Sequence, residues 1–290
     1  MNDKHAYLII AHNEPLLLKT LVSLIDDERN DIFIFIDGKV NINIFKDVKT
    51  CKSNLIYTKR CNNYWGGVSQ IETEYILFET AAKTGHYAYY HLLSGVDLPL
   101  KSQDYIHDMC RRLNGIEFVG VVSAEKEIER RTRYYYILQK HFRCSNFYQK
   151  LLVKIPQKGF VKIQQLLHVK RSCDVEMKMG PQWVSITDDF CRYLISKKNE
   201  ILHMFNHTFL CDEIFIPTIL WNSQFRANIY DLDNQYHSCL RKIDWQRGHP
   251  YLWRYSDVDE LLDNNEDYWF ARKFTYKETK LINAISKTVR

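Results

Sequence analysis

The stretch AYLIIA at residues 6–11 is apolar throughout, which is typical of a strand buried on both faces of a sheet. Asn13 is suited to cap a helix, and Pro15 is suited to its first turn. Apolar side chains then recur at helical spacing, at Leu17, Leu21, Leu24 and Ile25. A second apolar run, IFIFI at residues 32–36, predicts the next strand. The order strand, helix, strand indicates a parallel pair joined by a crossover helix.

The same alternation continues downstream. Strands are predicted at residues 54–58, 88–93 and 118–122. An apolar helical stripe runs from Val68 to Ala82, and Ser102 caps a further helix. We therefore expect an α/β fold with a mainly parallel central sheet and helices on both faces. Ligands bind such sheets at the carboxyl ends of the strands, which here are followed by the loops 12–15, 37–39, 59–69 and 94–101.

The composition indicates one globular domain over residues 1–290. Apolar residues make up 46% of the chain, and Gly and Pro number only 10 and 6, so disordered, collagen-like and repeat architectures are excluded. The longest apolar runs are too short to cross a membrane. The eight cysteines form no C-x-x-C pair, which argues against a zinc knuckle or a disulfide framework. The first residues lack the features of a signal peptide, and we expect a cytoplasmic location.

Charge is distributed unevenly along the chain. The formal net charge is +5, but residues 130–173 contain eleven Lys or Arg and no Asp or Glu, which leaves −6 for the remainder. Aromatic and aliphatic residues alternate with the basic ones, and this basic insert covers about residues 125–173. Such a surface suits an anionic partner, either a membrane headgroup layer or a pyrophosphate-linked lipid. A solvated basic face is the alternative, and nucleic acid is disfavoured because no nucleic-acid-binding motif accompanies the insert.

The loops after the first two strands carry polar residues suited to a nucleotide. The chain contains neither G-x-G-x-x-G nor G-x-x-x-x-G-K-[ST], which argues against the dinucleotide-binding fingerprint and the P-loop. His12 follows the first strand, and Asp37 follows the second, where a carboxylate could accept hydrogen bonds from a ribose or a uracil. Taken alone, Asp37 is also explained as a turn residue.

Six strings along the chain resemble those of one enzyme family. In order, they are YWGGVS at 64–69, LLSGVDLPL at 92–100, GPQWVS at 180–185, CDEIF at 211–215, RKIDW at 241–245 and FARKF at 270–274. Together they resemble the core-2/I-branching β-1,6-N-acetylglucosaminyltransferase family (glycosyltransferase family 14), which includes the peptide O-xylosyltransferases. The resemblance spans about residues 5–275 and is weakest across 125–175. It implies a single-domain GT-A-type glycosyltransferase that inverts the anomeric centre, uses a nucleotide sugar and requires no metal.

Glu213 matches the general base of that family. Inverting transfer needs a carboxylate that takes the proton of the acceptor hydroxyl as the oxygen attacks C1 opposite the leaving nucleotide. The apolar neighbours Ile214 and Phe215 and the charge of Asp212 would make such a carboxylate a stronger base. The alternative is that Asp212 and Glu213 simply begin a helix, where acidic side chains suit the helix dipole.

The resemblance also implies how the leaving diphosphate is neutralised. Most GT-A enzymes hold a metal ion with a D-x-D motif after the fourth strand, but that position here reads SGVD, with Asp97 as its one carboxylate. D-x-D does occur at 231–233 and 257–259, where we expect it by chance. In the family a Lys and an Arg supply the counter-charge. Lys273 matches the Lys, and Arg254 is the first choice for the Arg.

Other site residues follow from the same resemblance. Arg247 is the second choice for the arginine, and an ordinary surface pair of Arg272 and Lys273 is the alternative to the cationic site. Trp65 and Asp97 lie in matched strings and are expected at the donor. Expected acceptor contacts are Glu125, Arg130, Trp183 and Trp245, with Trp253 as a further aromatic face, although buried tryptophans usually belong to the core.

The sequence therefore predicts a bacterial-type inverting transferase that moves a sugar, with GlcNAc favoured, from UDP to a hydroxyl of a glycan or lipid-linked oligosaccharide in surface polysaccharide synthesis. The expected location is cytoplasmic, with the basic insert at the inner face of the cell membrane. Alternative donors are UDP-xylose, UDP-galactose and a galactofuranose donor. A catalytically silent glycan- and UDP-binding module and a metal-dependent transferase are the remaining alternatives.

Overall fold

The computed structural model describes residues 3–143, 147–263 and 265–290. Its centre is a sheet of five strands in the order β3-β2-β1-β4-β6. These strands are β1 (His5–Ala11), β2 (Asn30–Ile36), β3 (Asn54–Tyr57), β4 (Tyr89–Ser94) and β6 (Ser185–Thr187). The first four run parallel and β6 pairs antiparallel with β4. The arrangement is a mixed α/β fold with a mostly parallel sheet, consistent with a GT-A-like fold.

Helices cover both faces of this sheet, which is why every residue of β1 and β2 is buried. Tyr7, Ile9 and Ala11 point into one core, together with the helices Pro15–Leu24, Gln103–Arg112 and Thr279–Val289. Leu8 and Ile10 point into the other core, together with the helices Ser69–Thr84, Asp188–Ser196 and Phe215–Trp221. The helices are α1 (Pro15–Leu24), α2 (Ser69–Thr84), α3 (Gln103–Arg112), α4 (Glu125–Thr132), α5 (Phe147–Leu166), α6 (Asp188–Ser196), α7 (Lys198–Phe205), α8 (Phe215–Trp221), α9 (Gln235–Cys239), α10 (Val258–Leu261) and α11 (Thr279–Val289).

A second, smaller sheet brings the carboxyl-terminal part of the chain to the central one. It consists of β5 (Leu98–Pro99), β8 (Phe270–Arg272) and β7 (Arg241–Ile243), in that order. Because β5 directly follows the loop after β4, its antiparallel pairing with β8 places residues 270–274 beside that loop. The backbone of Phe274 donates a hydrogen bond to Val96 O at 3.0 Å.

Most of the predicted elements are confirmed, including the strands of the two apolar runs and the helix capped by Ser102, whose hydroxyl accepts from Tyr105 N. The cap predicted at Asn13 is wrong, because Glu14 occupies the position before α1. The strand predicted at 118–122 is also wrong. Phe118 bridges Ser185, and Val122 bridges Met179, but the two bridges are out of register with each other.

Two glycines explain that break in register. A Cβ on Gly180 would lie 1.8 Å from the carbonyl oxygen of Gly120, so the two backbones pass closer than any side chain allows. Gly180 N also donates to Glu213 O at 2.9 Å. The crossing therefore positions the backbone of residue 213. Among the described residues, no helix combines the length and the apolar character needed to cross a membrane.

Gly180→Ala is expected to destabilise the fold by about 1–3 kcal/mol, because the added methyl group must displace the Gly120 backbone. The measurement is the midpoint of urea unfolding. Gly159→Ala is the matched control, since a Cβ there meets nothing within 4 Å and alanine favours the helix. Equal midpoints for the two variants would contradict the close crossing.

Candidate functional site

The carboxyl ends of three parallel strands bring their loops together at one edge of the central sheet. Asp37 N donates to Ala11 O at 3.1 Å, and Gly95 N donates to Ile10 O at 2.9 Å, so the loops after β2 and β4 both begin on the end of β1. A Cβ on Gly95 would lie 2.8 Å from that of Ala11, which requires glycine at this approach. His12 follows at the same edge, as the sequence predicts for a ligand-binding fold.

Asp97, at the end of the loop after β4, is turned into the protein. Its carboxylate accepts hydrogen bonds from Ser94 N at 2.8 Å and from Ser94 Oγ at 2.6 Å. The guanidinium of Arg272 lies 3.5 Å from Asp97 Oδ1 and donates to Ser94 Oγ at 3.2 Å. Burial raises the pKa of Asp97, and the charge of Arg272 opposes that shift. The one carboxylate of the SGVD loop is therefore already engaged by protein groups.

Arg272 links this loop to the opposite side of the site. Its guanidinium carbon lies 4.4 Å from the centre of the Trp183 ring, so that one face of this buried tryptophan holds the cation. Burial lowers the pKa of Arg272, and the negative charges of Asp97 and Glu213 oppose the shift. Arg272 thus lies within electrostatic reach of both carboxylates.

Lys273 is fixed by its backbone and belongs to a group of positive side chains. Lys273 N donates to Tyr251 O at 3.3 Å, and Trp253 N donates to Lys273 O at 3.1 Å. Burial lowers the pKa of Lys273, and the nearby charges of Arg272 and Arg143 lower it further.

The charges of Lys273 and Arg143 also affect the pKa of His12. Burial lowers the pKa of His12, Asp37 opposes this, and Arg143, Lys273 and Lys39 add to the lowering. These mutual shifts identify a cationic cluster, defined here as Lys39, Arg143, Arg272 and Lys273, and they favour the neutral form of His12 beside it. Among the described residues, Asp37 pairs with Lys39 and Asp97 with Arg272. A group with more positive charges than paired carboxylates is the arrangement expected of an anion site.

Asp37 shapes the second loop of the site. Its Oδ1 atom accepts from Lys39 N at 3.0 Å and from Asn63 N at 3.4 Å, and Lys39 Nζ lies 3.2 Å from Oδ2. Asp37 therefore holds Lys39 at the cluster and joins the loops after β2 and β3. Asp37 thus has the predicted role in a turn, and this does not exclude the predicted hydrogen bonds to a ribose or a uracil.

Glu213 lies in a single 3-10 turn, Cys211–Glu213, just before α8. Its Oε2 atom is 2.5 Å from Arg131 Nη1, and the side chain is 27% exposed. Arg131 also donates to Glu127 Oε1 at 2.7 Å and is itself buried. The apolar surroundings predicted for the Glu213 carboxylate from Ile214 and Phe215 are wrong, because Arg131 on α4 faces this carboxylate.

Asp212 occupies the buried position instead. Gln70 Nε2 donates to Asp212 Oδ2 at 2.7 Å, whereas Asp212 Oδ1 has no hydrogen-bond partner among the described residues. Burial, followed by the charge of Glu213, raises the pKa of Asp212 to about 7. Gln70 also accepts from Gly66 N, so the side chain connects Asp212 to the loop that carries Trp65. Neighbouring carboxyl groups thus have two different environments.

Trp65, Trp245, Glu125 and Arg130 are exposed. Trp65 is partly exposed and packs edge-on against Phe209, 5.9 Å between ring centres. Trp245 is 43% exposed. Glu125 and Arg130 are exposed on α4, where Arg130 pairs with Glu127.

The two arginines proposed as partners of Lys273 are placed differently from Arg272. Arg247 pairs with Asp244, Asp257 and Glu260. Arg254 is exposed where the 3-10 turn Tyr255–Asp257 begins. The structure brings Arg272, rather than either of these, to Asp97. Arg272 stands in the FARKF string, so its flanking apolar residues were a signal that it was not an ordinary surface residue.

The two D-x-D sequences serve their own loops. Asp231 accepts from the backbone N of Asp233 at 2.8 Å and of Asn234 at 3.1 Å. Asp257 accepts from Arg254 N at 2.9 Å.

A separate group, His5, His91 and Cys110, brings three potential metal-ligand atoms within 4.8 Å. It includes the first residue of β1, at the sheet edge opposite the ligand loops. Burial lowers the pKa of His91, and the positive charge of Arg241 lowers it further, which disfavours a cation there.

A groove of about 370 Å³ opens at the start of α9. Its lining includes Val121–Ser123, Lys178, Trp221 and residues 232–236. Burial raises the pKa of Tyr236 to about 12, with the charges of Cys239 and Glu213 contributing, so this tyrosine connects the groove to the carboxylate. Sequence analysis missed Tyr236, Arg131, Lys39 and Arg143, because no local pattern marks them.

The family model described as Branch: Core-2/I-Branching enzyme matches residues 5–262. No curated protein matches the chain. The matched range includes Glu213, Asp97 and the three strand ends, and it stops before Arg272 and Lys273.

Asp212→Asn is expected to stabilise the protein more at pH 8 than at pH 5. The pKa of Asp212 is raised from 3.8 to about 7, so its contribution to stability is present at low pH and is lost as the pH rises from about 4 to 7. The amide cannot ionise, and it keeps the shape of the carboxyl group. We expect the difference in thermal midpoint between variant and wild type to grow by at least about 2–4 °C, the equivalent of 1 kcal/mol.

The control for this experiment is Asp174→Asn, which changes an exposed carboxylate. Its midpoint is expected to follow that of the wild type at both pH values. A midpoint difference for Asp212→Asn that is the same at pH 5 and pH 8 would show that this carboxyl group does not take up a proton on folding.

Proposed function

The chain belongs to the Core-2/I-branching enzyme family and is therefore a glycosyltransferase; from this membership and the geometry of the site we propose that it is an inverting, metal-independent enzyme that uses a UDP-sugar. A nucleotide-sugar donor and a glycan acceptor follow from the family. The inverting mechanism, the UDP and the residues that carry out the reaction are the proposal.

The observation that carries the proposal is that the charge of Glu213 acts on Arg272. The charge of Glu213 opposes the lowering of the Arg272 pKa, and this can happen only if the two groups share one region of the protein. Arg272 in turn is beside Lys273 in the cationic cluster. We propose that the sugar nucleotide lies between this carboxylate and the cationic cluster.

Glu213 is proposed as the general base. It would take the proton of the acceptor hydroxyl while that oxygen forms its bond to C1 and the bond from C1 to the diphosphate breaks on the opposite side. Arg131, with its Nη1 atom 2.5 Å from Glu213 Oε2, fixes the orientation of this carboxylate. The charge of Glu213 acts on Tyr236 in the groove, which supports the entry of the acceptor from that side.

The cationic cluster is proposed to neutralise the departing diphosphate. Fixed lysine and arginine side chains stabilise developing negative charge without a metal ion. Two observations support the metal-independent reaction. Asp97 is engaged by Ser94 and Arg272, and the first aspartate of each D-x-D sequence, Asp231 or Asp257, accepts hydrogen bonds from its own loop. His12, Asp37 and Trp65 are proposed at the nucleotide, at the ends of their strands.

The finer assignments rest on the resemblance. GlcNAc is the favoured sugar, and UDP-xylose, UDP-galactose and a galactofuranose donor are the alternatives. The proposed acceptor is a glycan or a lipid-linked oligosaccharide of surface polysaccharide synthesis, at the cytoplasmic side of the membrane. Trp245, Glu125 and Arg130 are proposed at the acceptor, and Trp183 is proposed to act mainly through Arg272, since this cation covers one of its faces.

Two substitutions are expected to separate chemistry from donor binding. Glu213→Gln should lower kcat by roughly 10²–10⁴-fold and leave the affinity for UDP nearly unchanged, because it removes the base alone. Lys273→Met should weaken UDP binding by roughly ten- to a hundredfold, because it removes a charged contact to the diphosphate. Release of UDP measures turnover, and titration calorimetry measures affinity.

The matched controls are Glu129→Gln on α4 and Lys277→Met, both of which change exposed side chains. They are expected to behave as the wild type in both measurements. Unchanged turnover in Glu213→Gln would overturn the assignment of the base. UDP affinity in a wild type that releases no UDP from any UDP-sugar would favour the silent binding module.

Chelation is expected to leave the reaction unaffected. Full activity in excess EDTA is the expected result, because the proposed counter-charge comes from side chains. The donor is first chosen by a thermal-shift screen of UDP-sugars with and without Mn²⁺. Activity that disappears with EDTA and returns with Mn²⁺ would establish the metal-dependent alternative.

A further inference from the structure

Helix α5 (Phe147–Leu166) is oriented with polar side chains inward and apolar side chains outward. On the inner side, Gln164 Oε1 accepts from Tyr135 N at 2.8 Å, and Gln164 Nε2 donates to Tyr135 O at 2.9 Å. Gln157, one heptad earlier, accepts from Ile137 N at 3.1 Å. Both glutamine side chains are buried. These amide contacts determine which side of α5 faces the protein.

The opposite side of α5 is an exposed apolar ridge. With about 100° of rotation per residue, Leu152, Ile155 and Leu166 lie roughly 140–200° around the helix from the two glutamines. Leu152 and Leu166 are each 70% exposed and Ile155 is 59% exposed. The ridge, as defined here, is Leu151, Leu152, Ile155, Ile163 and Leu166, and it is continued past the helix end by Leu167 and Val169.

Lysines flank this ridge on one side. Lys154, Lys158 and Lys162 recur at intervals of four residues and are exposed, which places them along one edge of the ridge. The surrounding segment 130–173 contains no Asp or Glu, so the lysines have no acidic partner nearby in sequence. An apolar ridge with a cationic edge is complementary to a surface that is apolar below and anionic above.

We propose that the ridge and the lysines of α5 form a docking surface for an anionic lipid bilayer, with the helix lying in the plane of the interface. Leucine and isoleucine side chains enter the boundary between headgroups and acyl chains, and lysines contact phosphate groups. A nucleic acid would engage the lysines but leave the ridge exposed, and a second copy of the chain would bring equal positive charges together. Charge and hydropathy together therefore favour the bilayer.

The position of α5 relates this surface to the proposed catalytic residues. The segment 134–137, which α5 contacts through its glutamines, follows α4, and α4 carries Arg131 beside Glu213. Arg171, just after the ridge, donates to Thr132 O at 2.9 Å. A membrane-docked α5 would hold this side of the site close to the interface. The inference does not depend on which donor or acceptor is used.

The test is co-flotation of the full chain with vesicles of phosphatidylglycerol and phosphatidylcholine, and with vesicles of phosphatidylcholine alone. Binding to the anionic vesicles at low salt and weaker binding at high salt is the expected result. The variant with Lys154→Gln, Lys158→Gln and Lys162→Gln should bind on the order of a hundredfold more weakly, from about 1 kcal/mol for each lysine. Leu152→Gln with Leu166→Gln should lose at least about tenfold.

Matched controls change exposed side chains of the same type elsewhere. They are Lys46→Gln, Lys49→Gln and Lys52→Gln for the lysines, and Ile42→Gln with Ile44→Gln for the ridge. Both control proteins are expected to bind as the wild type. Because all of these positions are exposed, the variants should keep the thermal midpoint of the wild type.

Several outcomes overturn the proposal. They are no flotation of the wild type with anionic vesicles, or flotation that the ridge variant leaves unchanged. A ridge variant that abolishes a concentration-dependent dimer while vesicles remain unbound would assign the ridge to a second copy. UDP release with a soluble acceptor is measured in parallel, so failure of membrane docking remains distinguishable from failure of the proposed catalytic function.

Discussion

The contact between Arg272 and Asp97 is the interaction on which the site depends. Asp97 ends the loop after β4, and Arg272 ends β8, so this contact joins the central sheet to the smaller one. Asp97 is buried and the Arg272 side chain is 17% exposed, so without Arg272 the carboxylate would be an uncompensated charge in the interior. The pair also fixes the position of the backbone at Lys273, the next residue. It engages the Asp97 carboxylate, which would otherwise be free to bind a metal ion. The Arg272–Asp97 contact thus supports both the proposed cationic site and the proposed metal-independent reaction.

Environment distinguishes the two adjacent carboxyl groups at 212 and 213. Asp212 is buried behind Gln70, so a proton on it is favoured up to about neutral pH. Glu213 is paired with Arg131, and its charge also acts on Arg272. Adjacent acids in a chain would normally repel, and here that repulsion is relieved by placing one in the interior and pairing the other.

The basic insert has two roles in this arrangement. Arg131 and Arg143 belong to its first part and reach the catalytic region, where one faces Glu213 and the other affects His12 and Lys273. Helix α5 belongs to its second part and turns its ridge away from the protein. The positive charge of residues 130–173 is therefore divided between a site proposed for the donor and a surface proposed for lipid.

The sequence alone determined the strand and helix order, because buried strands such as residues 6–11 and 32–36 and caps such as Ser102 are set by local periodicity and local hydrogen bonds. Family strings identified the glycosyltransferase and singled out Glu213 and Lys273. Tertiary structure decided what depends on contacts distant in the chain. Residues 118–122 form no strand because Gly120 meets Gly180, and Arg272 rather than Arg254 meets Asp97 because β8 pairs with β5. Burial and charge at a site are sums over such long-range contacts, and no local pattern contains them.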